Sequence, residues 1–240
     1  MAIVNETVVC HGDGLRLVND FYYDDAISGP RPGVLVHPDA RGYDDHTKNS
    51  AKRLAALGFA AMACDLHGEQ AYYEKSEDAL ALVMPLSERL DRMRDRARAE
   101  YEAFIARPQV DAAKVASIGY CMGGHMSVEL ARDGAPLVAA VGFHGGVVPP
   151  SPEDTKKITG KVLICTGAED PLIPPENRAR FEKDMTAAGV DWRMHVYGGV
   201  YHSFTNKKFM TFEEPFINLY NEGADKRSWN EMMELFKEVF

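Results

Sequence analysis

The sequence is poor in the features that mark secreted, membrane-spanning or nucleic-acid-binding chains. Only four cysteines occur in 240 residues (Cys10, Cys64, Cys121, Cys165), and no two form a C-x-x-C pair. Cys10–His11, Cys64–His67 and Cys121–His125 stand alone without a second half, so no zinc site is expected. Free thiols suit a reducing cytoplasm, and the first residues, MAIVNETVVCHG, lack the basic segment and apolar run of a secretion signal. No stretch approaches the roughly 18 apolar residues of a membrane span. Basic residues are outnumbered, 27 Lys and Arg against 36 Asp and Glu. The resulting charge of −9 argues against nucleic acid or an anionic membrane as partner and serves solubility. There is no internal repeat, low-complexity tract or linker, and no G-x-S-x-G motif. With 45% hydrophobic residues, residues 1–240 are expected to form one domain around a sizeable core.

What is there is an alternation of strand-like and helix-like segments. Residues 3–10 and 15–23 read as two strands joined by a turn at His11-Gly12-Asp13-Gly14. Short apolar runs at 34–36, 59–64, 115–118, 137–143, 162–165 and 192–197 read as further strands. Helical patterns lie between them, one capped by Asp44 or Asp45 and one opened by Pro174-Pro175-Glu176. Residues 76–107 read as helix broken or kinked at Pro85. Residues 147–160 read as a loop, and 203–227 show little periodicity before a closing helix with Trp229, Met232 and Phe236. The pattern predicts an α/β fold: a mainly parallel sheet with an antiparallel N-terminal edge and helices on both faces.

The segment Val115–Met126, VASIGYCMGGHM, carries the sharpest signal. It places a nucleophile-type residue, Cys121, between glycines two before and two after, at a strand-to-helix turn. The N-terminus of the following helix points at the sulfur and favours thiolate. In such sheets ligands bind at the carboxyl ends of the strands. Asp170 and His202 end later strands, in the chain order nucleophile, acid, base. A thiolate attacks an ester or lactone carbonyl, an imidazole moves the proton, and a carboxylate fixes the imidazole's tautomer. Backbone N–H groups of Met122 and Ala40 are the candidate oxyanion donors. His144 is expected to line the pocket, and Tyr72, Tyr73 and Phe204 to shape an apolar wall. His37, His46, His67, His125 and His195 read as structural.

With these residues in view, the chain resembles the dienelactone hydrolase (carboxymethylenebutenolidase-like) family of α/β-hydrolases. The resemblance rests on Gly119-Tyr120-Cys121-Met122-Gly123-Gly124, Gly167-Ala168-Glu169-Asp170-Pro171 and His202-Ser203-Phe204-Thr205-Asn206. GFAAMACDLHG (58–68) and Ala224–Trp229 add to it. It implies the α/β-hydrolase fold and a Cys–His–Asp hydrolase with no metal or organic cofactor. Two positions depart from the family's dienelactone-specific members. A glutamate that holds the resting thiol there corresponds most nearly to Asp39 here. An arginine that binds substrate carboxylate, four residues beyond the histidine, is Asn206 here, with Lys207 and Lys208 next. A weaker preference for anionic lactones follows, unless Arg41, Lys207 or Lys208 supplies a cation.

The reading is therefore a hydrolase of a small ester or lactone, monomeric or a small homo-oligomer. The rival class is a non-catalytic relative or a thiol redox sensor built on Cys121, since an activated thiol is also oxidisable. Asp170 and His202, in their order, favour catalysis. A serine mechanism is the third option; Ser117 and Ser203 are badly placed for it.

Overall fold

The computed structural model describes residues 2–211 and 218–240. The strands are β1 (Ile3–Gly12), β2 (Leu15–Asp24), β3 (Arg31–His37), β4 (Ala60–Ala63), β5 (Val110–Tyr120), β6 (Ala139–Phe143), β7 (Lys161–Gly167) and β8 (Trp192–Tyr197). The helices are α1 (Asp45–Ala56), α2 (Ser76–Glu88), α3 (Leu90–Ile105), α4 (Met122–Arg132), α5 (Pro152–Thr155), α6 (Pro175–Ala187) and α7 (Glu222–Val239). All eight strands join one sheet in the order β1-β2-β4-β3-β5-β6-β7-β8. The β1–β2 and β2–β4 pairs are antiparallel and every other pair is parallel. This is the expected α/β-hydrolase arrangement with its antiparallel N-terminal edge.

Side chains alternate across a strand, so each buried strand feeds two cores. Val34, Val36, Ile118, Val141 and Leu163 face α1 and α7, where Leu54, Trp229, Met232 and Phe236 pack. Leu35, Val115, Ala140, Val162 and Ile164 face the other way, against Met93 and Phe104 of α3, Met126 of α4 and Phe181 of α6. Residues buried on both faces read as continuous apolar runs, which is why these short strands were legible.

Local chemistry sets several boundaries. Asp44 caps α1 by accepting from the Thr47 N–H at 3.0 Å. Pro85 does not break its helix. It sits inside α2, where the Ala81 carbonyl it leaves free lies on an exposed residue, and the chain breaks at Arg89 instead (φ −117°, ψ 72°). The loop at 147–160 contains the short helix α5. The closing helix starts at Glu222, earlier than its periodicity announces, because Asn221 caps it by accepting from the Ala224 N–H at 2.9 Å. The rest of the aperiodic segment, residues 212–217, lies outside the described residues. Among the described residues, no helix is long and apolar enough to cross a membrane.

The chain runs outward from β3 to β4, then returns to the other side of β3 with β5. The loops after β3 and β5 therefore diverge, and a crevice opens between them. His37 pairs with Gly119 in register, which sets Pro38–Ala40 beside Tyr120–Met122.

Candidate active site

Cys121 occupies the turn between β5 and α4 with φ 50° and ψ −113°, a conformation costly for a residue with a Cβ. Two glycines make it possible. A Cβ on Gly119 would lie 2.1 Å from the Gly123 carbonyl, and one on Gly123 would lie 2.4 Å from the His37 oxygen. The first contact closes the turn and the second seats α4 against the loop after β3. The backbone N–H of Cys121 donates to the Phe143 oxygen at 3.0 Å, tying the turn to β6. Its side chain is half-buried and opens onto a cavity of about 240 Å³.

His202 and Asp170 come from the loops after β8 and β7. His202 Nδ1 lies 2.7 Å from Asp170 Oδ2, with both side chains almost wholly buried. Asp170 is held in turn, since its Oδ1 accepts from the Leu172 N–H at 2.9 Å. Burial opposes a charge on His202, but the charges of Cys121 and Asp170 and hydrogen bonding to both outweigh it and push the imidazole up to about 10. The other three thiols differ from one another in exposure and share one trend. Burial pushes Cys10 and Cys165 up to about 12 and Cys64 well above the usual thiol range.

Cys121, His202, Met122, Ala40 and Asp39 all line the cavity. Met122 opens α4, so its N–H has no partner within the helix. Ala40 is fixed from behind by His67, whose Nε2 is 2.9 Å from the Ala40 oxygen. Asp39 is buried and accepts from the Arg41 N–H at 2.9 Å. Burial, reinforced by the charge of Asp44, pushes its carboxyl up to about 6 against the pull of Arg41 and Asn206.

Several other expected residues lie elsewhere. His144 does not line the cavity. It is buried behind His202, edge-on to that ring with centroids 5.2 Å apart, and its Nε2 is 2.8 Å from Thr205 Oγ1. Phe204 is also core, packed between His144 and Tyr197, because the loop turns that residue inward. Asn206 points at Asp39 Oδ2 (3.5 Å) and lines a second cavity of about 690 Å³ on the far side of the loop. Tyr72, Lys207 and Lys208 belong to that second cavity, and Tyr73 packs on His67. Arg41 does reach the Cys121 cavity.

Sequence reasoning missed the cavity wall. Ser76, Ala79, Leu80, Val83 and Met84 of α2 form it, with Leu172 and Phe209. Their periodicity reads only as an amphipathic helix, and nothing local says what the helix covers. His125 also lines the cavity, its Nδ1 3.2 Å from the Cys121 oxygen. Its i+4 spacing from Cys121 was the available signal. A further group unforeseen from spacing is His37, Cys64 and Glu100, fully buried under the loop after β3. His37 Nδ1 is 3.4 Å from one Glu100 oxygen, and the other accepts from the Asp65 N–H at 2.8 Å, bracketing β3, β4 and α3.

The chain has relatives among known proteins. The model of the dienelactone hydrolase family matches residues 21–240. The chain belongs to the dienelactone hydrolase family. Within this family of hydrolases, a probable 2-oxo-3-(5-oxofuran-2-ylidene)propanoate lactonase from Bradyrhizobium is 27% identical over 215 residues, covering 85% of this chain and 82% of the relative. Among solved structures, a dienelactone hydrolase-like promiscuous phosphotriesterase from metagenomic libraries superposes with a TM-score of 0.95 at 39% identity, over 100% of both chains. A dienelactone hydrolase from Anabaena variabilis shares the fold at 17% identity, with a TM-score of 0.71 over 100% of both chains.

Proposed function

We propose that this dienelactone hydrolase family member cleaves small carboxylic esters or lactones through Cys121, His202 and Asp170, by way of an acyl-thioester. The observation that carries the reading is the 2.7 Å contact of Asp170 with His202 Nδ1. It leaves Nε2 as the ring nitrogen available on the cavity side, where Cys121 stands at the strained turn. Asp170 fixes the tautomer and steadies the imidazolium. His202 takes the Cys121 proton, and the sulfur attacks the carbonyl carbon. The oxyanion is received by the N–H groups of Met122 and Ala40. His202 then protonates the leaving oxygen, and the alcohol departs. A water, losing its proton to His202, attacks the thioester, and the thiolate of Cys121 leaves. We read residues 1–240 as a single domain in a reducing, cytoplasmic setting.

The test is hydrolysis of 4-nitrophenyl esters by single variants. Cys121→Ala, His202→Ala and Asp170→Asn are each expected to lower kcat by about a thousandfold or more while the protein stays folded by circular dichroism. Because such groups act as a unit, Cys121→Ala/His202→Ala should lose little beyond the worse single variant. Near-wild-type turnover by Cys121→Ala would sink the assignment. A second substrate class, neutral phosphotriesters, is favoured by the 39% identical neighbour whose described activity it is. It is tested with the same variants on a chromogenic phosphotriester.

A further inference from the structure

The Cys121 cavity is apolar over most of its wall, with Leu80, Val83, Met84, Leu172 and Phe209. Among the described residues its buried charged side chains are Asp39, Arg41 and the His202 imidazole, which Asp170 holds in place. Asp39 and Arg41 are not equivalent toward a bound molecule. The Arg41 guanidinium is held against the cavity wall, donating to Ser76 Oγ at 2.8 Å and lying 4.9 Å from the centre of the Phe209 ring. Asp39 is held through its backbone neighbour. Its Oδ1 accepts from the Arg41 N–H at 2.9 Å, while Oδ2 meets the Asn206 amide at 3.5 Å, the outer limit of a hydrogen bond.

Asn206 is thus committed to Asp39 and faces the second cavity. Among the described residues, the charged and titratable groups that act on or face Asp39 are Arg41, which favours its ion, Asp44, which opposes it, and Cys121 and His202 across the cavity.

We propose that Asp39 sets the charge selection of this cavity: its carboxylate turns away substrates with a free carboxylate near the reacting carbonyl, so the cavity takes neutral esters and lactones with apolar chains. The inference rests on the reading of Cys121 as nucleophile. In a partly desolvated cavity with an effective dielectric of about 20, a like charge about 6 Å away weakens binding by about a hundredfold. Protonation of Asp39 removes that repulsion. Burial brings its titration up to about 6, within reach of an ordinary pH series.

The experiment compares kcat/KM for 4-nitrophenyl methyl adipate and 4-nitrophenyl hydrogen adipate from pH 5.5 to 7.5. Wild type is expected to prefer the methyl ester by about twenty- to thirtyfold at pH 7.5, where about 3% of Asp39 still holds its proton, and by no more than about twofold at pH 5.5. In Asp39→Asn the ratio should drop to within about threefold of unity and lose its pH dependence. The ratio cancels any general loss of turnover in the variant, and the pH arm on wild type needs no variant. A wild-type preference for the acid, or an unchanged ratio in Asp39→Asn, overturns the proposal. Cys121→Ala, assayed on the methyl ester, tests the underlying nucleophile separately. Turnover surviving there defeats the mechanism, whatever the ratio shows.

Discussion

Asp39 ionises in a place that water barely reaches, and this has a cost to the fold. Its pKa rises from an ordinary 3.8 to about 6, so the folded state prefers the protonated form. At low pH both folded and unfolded chains hold the proton and the group is neutral in the balance. As pH rises past 3.8 the unfolded chain ionises freely, and above about 6 the folded chain must carry a buried charge. The penalty is therefore complete at neutral pH and fades in acid. Asp39→Asn is expected to stabilise the protein by about 3 kcal/mol at pH 7.5 and by about 1 kcal/mol at pH 4.5. Urea unfolding at the two pH values measures both; a gain independent of pH would show that the carboxylate carries no such penalty. Residue types at strand ends made Cys121, Asp170 and His202 legible from sequence. Side-chain direction in an irregular loop was not. His144, Phe204 and Asn206 stand within a few ångströms of the site yet face the core or Asp39, because loop backbone has no period from which orientation can be read.

Among elements, the turn joining β5 to α4 is the most tightly constrained. A methyl group on Gly123 would sit 2.4 Å from the His37 oxygen and 2.5 Å from the Pro38 oxygen, both backbone atoms that cannot swing aside. Gly123→Ala is expected to destabilise by about 3 kcal/mol and to depress kcat, since relief requires moving the loop that carries Ala40. Gly134→Ala is the control. It has open space around it but a φ of +83°, so it should cost about 1 kcal/mol and leave kcat alone. Equal effects of the two on kcat would count against the proposed role of the loop. The strands were legible because burial on both faces gives short apolar runs. Helix ends were less so. Pro85 looked like a breaker but is tolerated on an exposed face, and α7 begins on polar residues at a cap rather than on a hydrophobic repeat.

Across the molecule, a buried polar network ties together helices distant in sequence. Arg132 of α4, fully buried, donates to Glu129 at 2.9 Å, to Asp184 of α6 at 2.8 Å and to the Pro149 oxygen at 2.9 Å. Arg94 of α3 reaches both Glu129 (2.6 Å) and Asp154 of α5 (2.8 Å). Removing one partner leaves carboxylates buried without their cation. Arg132→Met is expected to destabilise by about 3–5 kcal/mol, whereas breaking the exposed Lys237–Glu234 pair should barely move the urea midpoint. Similar midpoints for the two variants would deny the network its role. The pairings between helices could not be read from sequence, because partners such as Arg94 and Glu129 come together only once the sheet is assembled; of these pairs, only the i,i+3 pairs Arg132–Glu129 and Lys237–Glu234 are visible in helical spacing.

The division of labour along the chain has an evolutionary corollary. The proposed reacting groups all follow β5, β7 and β8, while much of the cavity wall comes from α2, an excursion between β4 and β5 that contributes no strand. The proposed reacting groups and much of the apolar wall are thus inherited on separate stretches of polypeptide. A lineage can rewrite residues 76–88, in length as well as in identity, and acquire new substrates without disturbing the register of a single strand.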